Sequence, residues 1–235
     1  MSENKIFTGF KFIDEKLGGL LPDKLCCIGG ENDPISAEQL SLSILKGIAD
    51  HNPDGVIAFI NSEEFIILKC TLEDFIDENE FRSKTLIELS TRLPLQRIKF
   101  ISNSYDSYMV ENYGLKDAIL NKIKNQKLLA IFIADLEKDD VALKSLAEEL
   151  QVPVIAYDRR YINDETERLI VRHMTADIVI RCNVTSDGKS SDMICYTKDF
   201  EGIYKGKTNQ KGTLQETLEW ELPEDKDKLW FYDDK

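Results

Sequence analysis

The stretch LCCIGGENDPIS, residues 25–36, decides the fold of this 235-residue chain. Its first four residues are apolar and form a run short enough for a strand buried on both faces, and the run ends at Gly29-Gly30. Polar residues lead from there into residues 36–50, where apolar side chains recur at helical spacing (Leu40, Ile44, Leu45 and Ile48). A strand, a glycine-containing loop and a helix in this order predict the first unit of an α/β domain.

The same alternation continues along the chain. Further apolar runs predict strands at residues 56–60, 98–101, 128–134, 152–156, 178–180 and 193–196, and helical patterns occupy residues 65–77, 115–125 and 141–150. Because crossovers between parallel strands are right-handed, this order predicts a mainly parallel, doubly wound sheet. Asp187-Gly188 is a turn signal for an antiparallel hairpin extension near the C-terminus. We predict one domain over residues 1–235, ending in an acidic, aromatic extension at residues 207–235.

Composition and charge narrow the class of protein. Hydrophobic residues make up 42% of the chain, so it is not disordered, and a net charge of -13 argues against binding by general attraction to nucleic-acid phosphates. The five cysteines show no metal-site spacing: Cys26, Cys27, Cys70, Cys182 and Cys195. No apolar stretch is long enough to cross a bilayer, and the N-terminus lacks an apolar signal core. We expect a cytoplasmic protein without a structural zinc or a disulfide framework.

Residues 29–36 occupy the place of a phosphate-binding loop, GxxxxGK[ST]. In the frame that starts at Gly29, Pro34 stands at the second glycine, Ile35 at the lysine and Ser36 at the hydroxyl. A frame that starts at Gly30 lacks the lysine as well. Taken alone, the glycine pair is equally typical of a plain strand-to-helix turn.

The chemistry of this loop is also unfavourable for phosphate. Glu31 and Asp33 add negative charge where phosphates would lie, and Pro34 removes one backbone N–H donor. We therefore interpret residues 29–36 as a degenerate phosphate loop.

Segments on both sides of this loop resemble, in order, the C-terminal motor domain of DnaB-type replicative helicases. Thr8-Gly9, Ile13-Asp14 and Gly18-Gly19-Leu20 resemble the family's approach to the phosphate loop. Further matches follow at residues 59–64 (the catalytic glutamate, on Glu63), 128–135 (the Walker B strand, on Asp135), 147–156 (the approach to the glutamine sensor), 176–180, and at Lys198 with Gly202 (the finger hairpin). The resemblance covers about residues 8–206 and implies a RecA-like P-loop NTPase fold that would use ATP and magnesium.

The resemblance fails at the residues that would perform the chemistry. The loop lysine is missing, Arg159 occupies the position of the sensor glutamine, and Phe200 that of the arginine finger. ATP hydrolysis needs cations around the γ-phosphate. We therefore predict a pseudo-ATPase without cofactor or metal, in which the remaining residues are vestigial: Glu63, Asp135 and Lys198.

Three functions stay open. The first is a protein-interaction or assembly module that binds a true replicative helicase, or a copy of itself, through the face that bears the nucleotide site. The second is an unconventional ATPase that uses a lysine from elsewhere. The third is a binder of single-stranded DNA through basic residues where the family grips DNA: Arg159, Arg160, Arg168, Arg172 and Lys205. Acidic residues interleave with these, so we expect weak binding that physiological salt abolishes.

Overall fold

The computed structural model describes residues 5–9, 12–16, 18–30, 34–61, 97–102, 107–134, 140–158, 175–184, 191–197, 200–208 and 214–215. Its strands are β1 (Leu25–Gly30), β2 (Val56–Asn61), β3 (Ile98–Ser102), β4 (Leu128–Ala134), β5 (Val154–Asp158), β6 (Ile178–Val184), β7 (Ser191–Thr197), β8 (Phe200–Thr208) and β9 (Leu214–Gln215). Within the described residues they form one sheet in the order β3-β2-β4-β5-β1-β6-β7-β8-β9. Strands β1 to β6 are parallel, and β7 to β9 extend the sheet antiparallel.

Helices cover both faces of the parallel strands. They are α1 (Pro34–His51), α2 (Ser107–Ile123) and α3 (Asp140–Leu150). Alternate residues of a strand go to opposite faces, so Ile28 of β1 joins a buried cluster with α1 whereas Cys27 joins the cluster with α2 and α3. This two-sided burial explains why the strands read as continuous apolar runs.

All seven strands predicted from the apolar runs are present, and the mainly parallel sheet with its antiparallel extension is confirmed. β5 begins at Val154 rather than at residue 152, because the end of α3 occupies the earlier positions. Gln151 has a left-handed backbone (φ 53°), and the Val152 N–H donates to the Ala147 carbonyl at 3.3 Å. This helix-ending arrangement satisfies an orphan carbonyl of α3 before the strand starts.

Helix α2 differs from the prediction at its start. It begins at Ser107, eight residues before the predicted 115, but Gly114 interrupts it with a conformation (φ 79°, ψ 162°) that is open essentially to glycine alone. The predicted start at residue 115 therefore coincides with the second half of a broken helix. The predicted helix at residues 65–77 and the turn at Asp187-Gly188 lie outside the described residues.

The amino-terminal segment is fastened by one carboxylate. Asp14, in a π-helical turn (Phe12–Lys16), accepts the Thr8 N–H at 2.8 Å and the Thr8 hydroxyl at 3.0 Å on Oδ1, and the Gly9 N–H at 2.8 Å on Oδ2. The buried Ile13 accepts the Gly19 N–H on its carbonyl at 2.9 Å. The motif residues before the loop therefore have a structural role.

That segment packs on the C-terminal half of α1 through a glycine. A Cβ added at Gly47 would lie 1.6 Å from the Thr8 carbonyl oxygen, and one added at Gly9 (φ +77°) would lie 2.7 Å from the His51 ring. Asn52 fixes the same junction by donating to the Phe7 carbonyl at 3.0 Å. The backbone of the segment therefore touches the helix with no room for a side chain.

Asp177 joins β1, β6 and α3 at the amino ends of the strands. Its carboxylate accepts the Leu25 N–H at 2.9 Å, lies 2.7 Å from Lys144 Nζ and lies 3.5 Å from Lys24 Nζ. Burial alone raises the pKa of the Asp177 carboxyl, but the hydrogen bonds from Lys144 and Leu25 and the charges of Lys144 and Lys24 outweigh it and lower the pKa. The ionised carboxylate is therefore the form that stabilises the fold.

We predict that Gly47→Ala destabilises the protein by about 1–3 kcal/mol, because the new methyl group displaces the Thr8 backbone. Without this contact the sign would be opposite, since alanine exceeds glycine in helix propensity by about 1 kcal/mol. Urea unfolding measures the difference. The matched control is Asp50→Ala on the exposed side of α1, which should change stability little. A stabilised Gly47→Ala would show that the close contact is wrong.

We predict that Asp177→Asn lowers the free energy of unfolding at neutral pH by about 2 kcal/mol, because charge-assisted hydrogen bonds are lost. Since the folded pKa lies below the unfolded one, this contribution is present above about pH 4 and is lost as the pH falls through the folded value. Wild type and Asp177→Asn should therefore converge in stability in acid. Glu149→Gln, which removes the exposed pairing with Lys116, is the control and should behave like wild type. A constant difference at all pH values would contradict the prediction.

Candidate functional site

The carboxyl ends of the parallel strands form one edge of the sheet, which is where doubly wound sheets bind ligands. Strands β2, β4, β5 and β1 are neighbours in that order, and they end at Asn61, Ala134, Asp158 and Gly30. Asn61 is in register with Ala134, and Gly29 with Asp158, so neighbouring strand ends are level. Any residues that directly follow these strands start from one edge.

The connection from β1 to α1 has the strand–loop–helix order that the sequence predicts. Gly29 and Gly30 are the last residues of β1, and α1 begins at Pro34. Proline fits this first helical position because the N–H there has no partner within a helix. A phosphate at a helix N-terminus would use that same donor, so Pro34 stabilises the helix start at the expense of anion binding.

The first turn of α1 contains the backbones of Ile35 and Ser36, at the lysine and hydroxyl positions of the Gly29 frame. Their assignment to a degenerate loop stays a prediction. Glu31 and Asp33 lie outside the described residues.

The strands that lead to the two candidate carboxylates lie side by side. Phe59 of β2 and Phe132 of β4 are paired in register, and their buried rings stack with centroids 5.3 Å apart. Glu63 comes two positions after the end of β2, and Asp135 directly follows β4. Both carboxylates lie outside the described residues, and their vestigial role stays a prediction.

The predicted finger hairpin is present as β7 and β8, which pair antiparallel with Thr197 opposite Phe200. Lys198, in the connection, lies outside the described residues, whereas Gly202 and Lys205 belong to β8. Four candidate DNA-binding residues also lie outside them: Arg159, Arg160, Arg168 and Arg172.

Sequence reasoning missed a cation next to the glycine pair. Arg181 of β6 is in register with Gly29, on the side opposite Asp158. The predicted strand stopped at Ile180, whereas β6 continues to Val184. The available signal was the return of apolar residues after Arg181, at Cys182 and Val184, which indicates that a strand contains the charge.

The lowered pKa values among the described residues do not mark this edge. Asp177 precedes β6 at the opposite, amino edge of the sheet. The hydrogen bond and charge of Lys116 lower the pKa of Glu149, which is exposed on α3. These shifts come from ion pairs that join elements of the fold, which is the structural cause of a perturbed pKa rather than the functional one.

Metal ligands and membrane spans were sought in the described part of the chain. It holds no cluster of three or more His, Cys, Asp or Glu side chains suited to a metal ion. In the same residues no helix has the length and apolar character needed to cross a membrane. Cys26 and Cys27 are buried in β1, as expected for cysteines that act as small apolar residues.

No protein-family model matches the chain, and no curated protein matches it in sequence. In structure it is similar to the ATPase domain of a DnaB-like helicase, with a TM-score of 0.57 and 14% sequence identity over 91% of this chain and 92% of that chain. Identity this low supports a shared fold and nothing finer. With the strand order described above, the similarity confirms the predicted architecture: the chain has a RecA-like P-loop α/β fold.

Proposed function

We propose that this chain is a RecA-like domain that does not hydrolyse ATP and acts as a protein-interaction or assembly module. One observation supports the loss of hydrolysis most directly: residues 25–45, which span β1, its loop and most of α1, contain no lysine or arginine. Phosphoryl transfer needs a cation in this loop, together with a metal and a finger residue, to offset the charge that develops on the phosphate. Pro34 at the start of α1 removes a further donor.

The carboxylates near this edge add to the difficulty. Glu31 and Asp33 follow β1 in sequence, Glu63 follows β2 and Asp135 follows β4. Without the loop lysine, these charges would repel a triphosphate.

An interaction role suits an edge that has lost its chemistry. The motor domains that the sequence resembles associate through the face that bears the nucleotide site, so the same face can serve as an interface without nucleotide. The partner that fits is a second RecA-like domain, either a true replicative helicase or another copy of this chain. DNA replication or the biology of a mobile element is the process that this partner implies.

One observation favours a second candidate, an unconventional ATPase. Arg181 is in register with Gly29, and an arginine there would be a cation supplied from β6 instead of from the loop. Asp158 occupies the same row on the other side of Gly29 and would offset that charge. We therefore rank this candidate second.

We predict that the full chain shows no ATP turnover, and that millimolar ATP with magnesium leaves its melting temperature unchanged. A ligand at 100 times its Kd stabilises the folded state by about 2.7 kcal/mol, which would raise the melting temperature by several degrees in a chain of this size. Steady-state phosphate release and thermal melts measure the two effects.

Two variants sharpen this test. Pro34→Gly with Ile35→Lys restores the loop and should give only a small ATP-dependent shift, because Glu31 and Asp33 remain. Pro34→Gly alone is the matched control without the cation and should give none. Turnover in the wild type that disappears in Glu63→Gln would contradict the proposal.

We predict that assembly of the chain is independent of nucleotide. Light scattering of the purified protein should give a mass above the 27.0 kDa of one chain that does not change when ATP and magnesium are added. Ile35→Glu, placed at the start of α1, should shift the mass towards one chain. A 27.0 kDa particle that assembles only with ATP and magnesium would contradict the proposal, because the interface would then depend on the nucleotide.

A further inference from the structure

The antiparallel extension of the sheet has two chemically different faces. Register across β6, β7 and β8 places uncharged residues in two rows: Ile180, Cys195 and Tyr204, then Cys182, Met193 and Gly206. The rows that alternate with these hold the charges: Arg181, Ile194 and Lys205, then Asn183, Asp192 and Lys207. Since residues two apart on a strand share a face, the charged rows lie on one side of the sheet.

Burial of β6 identifies that side. Val179 belongs to the buried cluster under α2 and α3, and Arg181 follows it by two residues, so both lie on the same face. Ile180 belongs to the cluster under α1, on the opposite face. Arg181, Lys205 and Lys207 thus define a cationic face that continues the α2–α3 side of the sheet, with Asp192 as the one carboxylate in these rows.

The C-terminal tail, residues 216–235, starts beside this face. β9 runs antiparallel to β8, and its last residue, Gln215, is in register with Lys207. The tail contains eight Asp or Glu residues and three lysines, so it is strongly acidic. It also contains aromatic residues, among them Trp220 and Trp230.

We propose that this acidic tail docks on the cationic face and covers it against other anionic partners, including single-stranded nucleic acid. Opposite charges favour the contact, and tethering at Gln215 gives the tail an effective concentration on the order of millimolar. Aromatic rings of the tail can also stack on the guanidinium of Arg181. The proposal does not depend on whether the nucleotide site is active.

Tryptophan emission of the full chain tests the docking. The sequence has two tryptophans, Trp220 and Trp230, so the emission reports on the tail alone. At low salt we expect emission that is blue-shifted and less accessible to acrylamide than that of a synthetic peptide of residues 216–235. Lys205→Glu with Lys207→Glu should shift both properties to the values of the peptide. Salt at about 1 M, where the screening length is about 3 Å, should do the same to the wild type.

A charge-matched variant provides the control. Lys122→Glu with Lys124→Glu changes the net charge equally at the exposed C-terminal end of α2 and should leave the emission unchanged. Circular dichroism checks that each variant is folded. If Lys205→Glu with Lys207→Glu fails to fold, the milder pair Lys205→Gln with Lys207→Gln and the salt series of the wild type decide the question.

Three results would overturn the proposal. The first is wild-type emission equal to that of the peptide at low salt. The second is protected emission that neither the Lys205 and Lys207 variants nor salt changes, which would place the tail elsewhere. The third is a labelled single-stranded oligonucleotide that binds through Lys205 and Lys207 without altering tryptophan emission, which would show that the cationic face is open.

Discussion

Two-sided burial of the parallel strands is the constraint on which the rest of this structure depends. β1 lies between β5 and β6, and its residues alternate between the cluster under α1 and the cluster under α2 and α3. A strand enclosed in this way offers a ligand only its carboxyl end, so Gly29 and Gly30 are where any chemistry has to begin. The same enclosure forces α1 to start close to that end, which places the helix N-terminus beside the glycines.

The two edges of the sheet carry different burdens. At the amino edge, polar side chains bind the backbone of separate elements: Asp177 holds β1 to β6, and Arg97 donates to the Gly55 carbonyl at 2.9 Å and to the Ala49 and Asn52 carbonyls, which closes the end of α1. The carboxyl edge contributes no such lock among the described residues. Residues at the carboxyl edge can therefore change identity while the fold persists, and this separation is what allows a RecA-like domain to exist with Ile35 at the lysine position.

The sequence predicts the sheet well because double burial leaves a local signature. Apolar runs identified β1 to β7, and the position of β4 was predicted without error. Contacts between distant residues leave no such signature: the Leu25 N–H and the Asp177 carboxylate are 152 positions apart. The first half of α2 was missed because its sequence, SYMVENY, lacks helical periodicity. Arg181 was missed because a charge at the end of an apolar run is usually a strand terminus.

The place of the candidate site follows from topology, but its activity depends on local electrostatics that overall composition conceals. The net charge of -13 is an average over surfaces, whereas an ion interacts mainly with charges within about 10 Å at ordinary salt. Eight acidic residues against three lysines in residues 216–235 account for five of those negative charges, and the rest of the chain stays acidic without them. Attraction of any anionic partner therefore has to come from a local set of cations, such as Arg181, Lys205 and Lys207 in neighbouring rows of β6 and β8. Whether such a set is covered or open then decides between a protein partner and a nucleic acid, while the net charge of the chain stays the same.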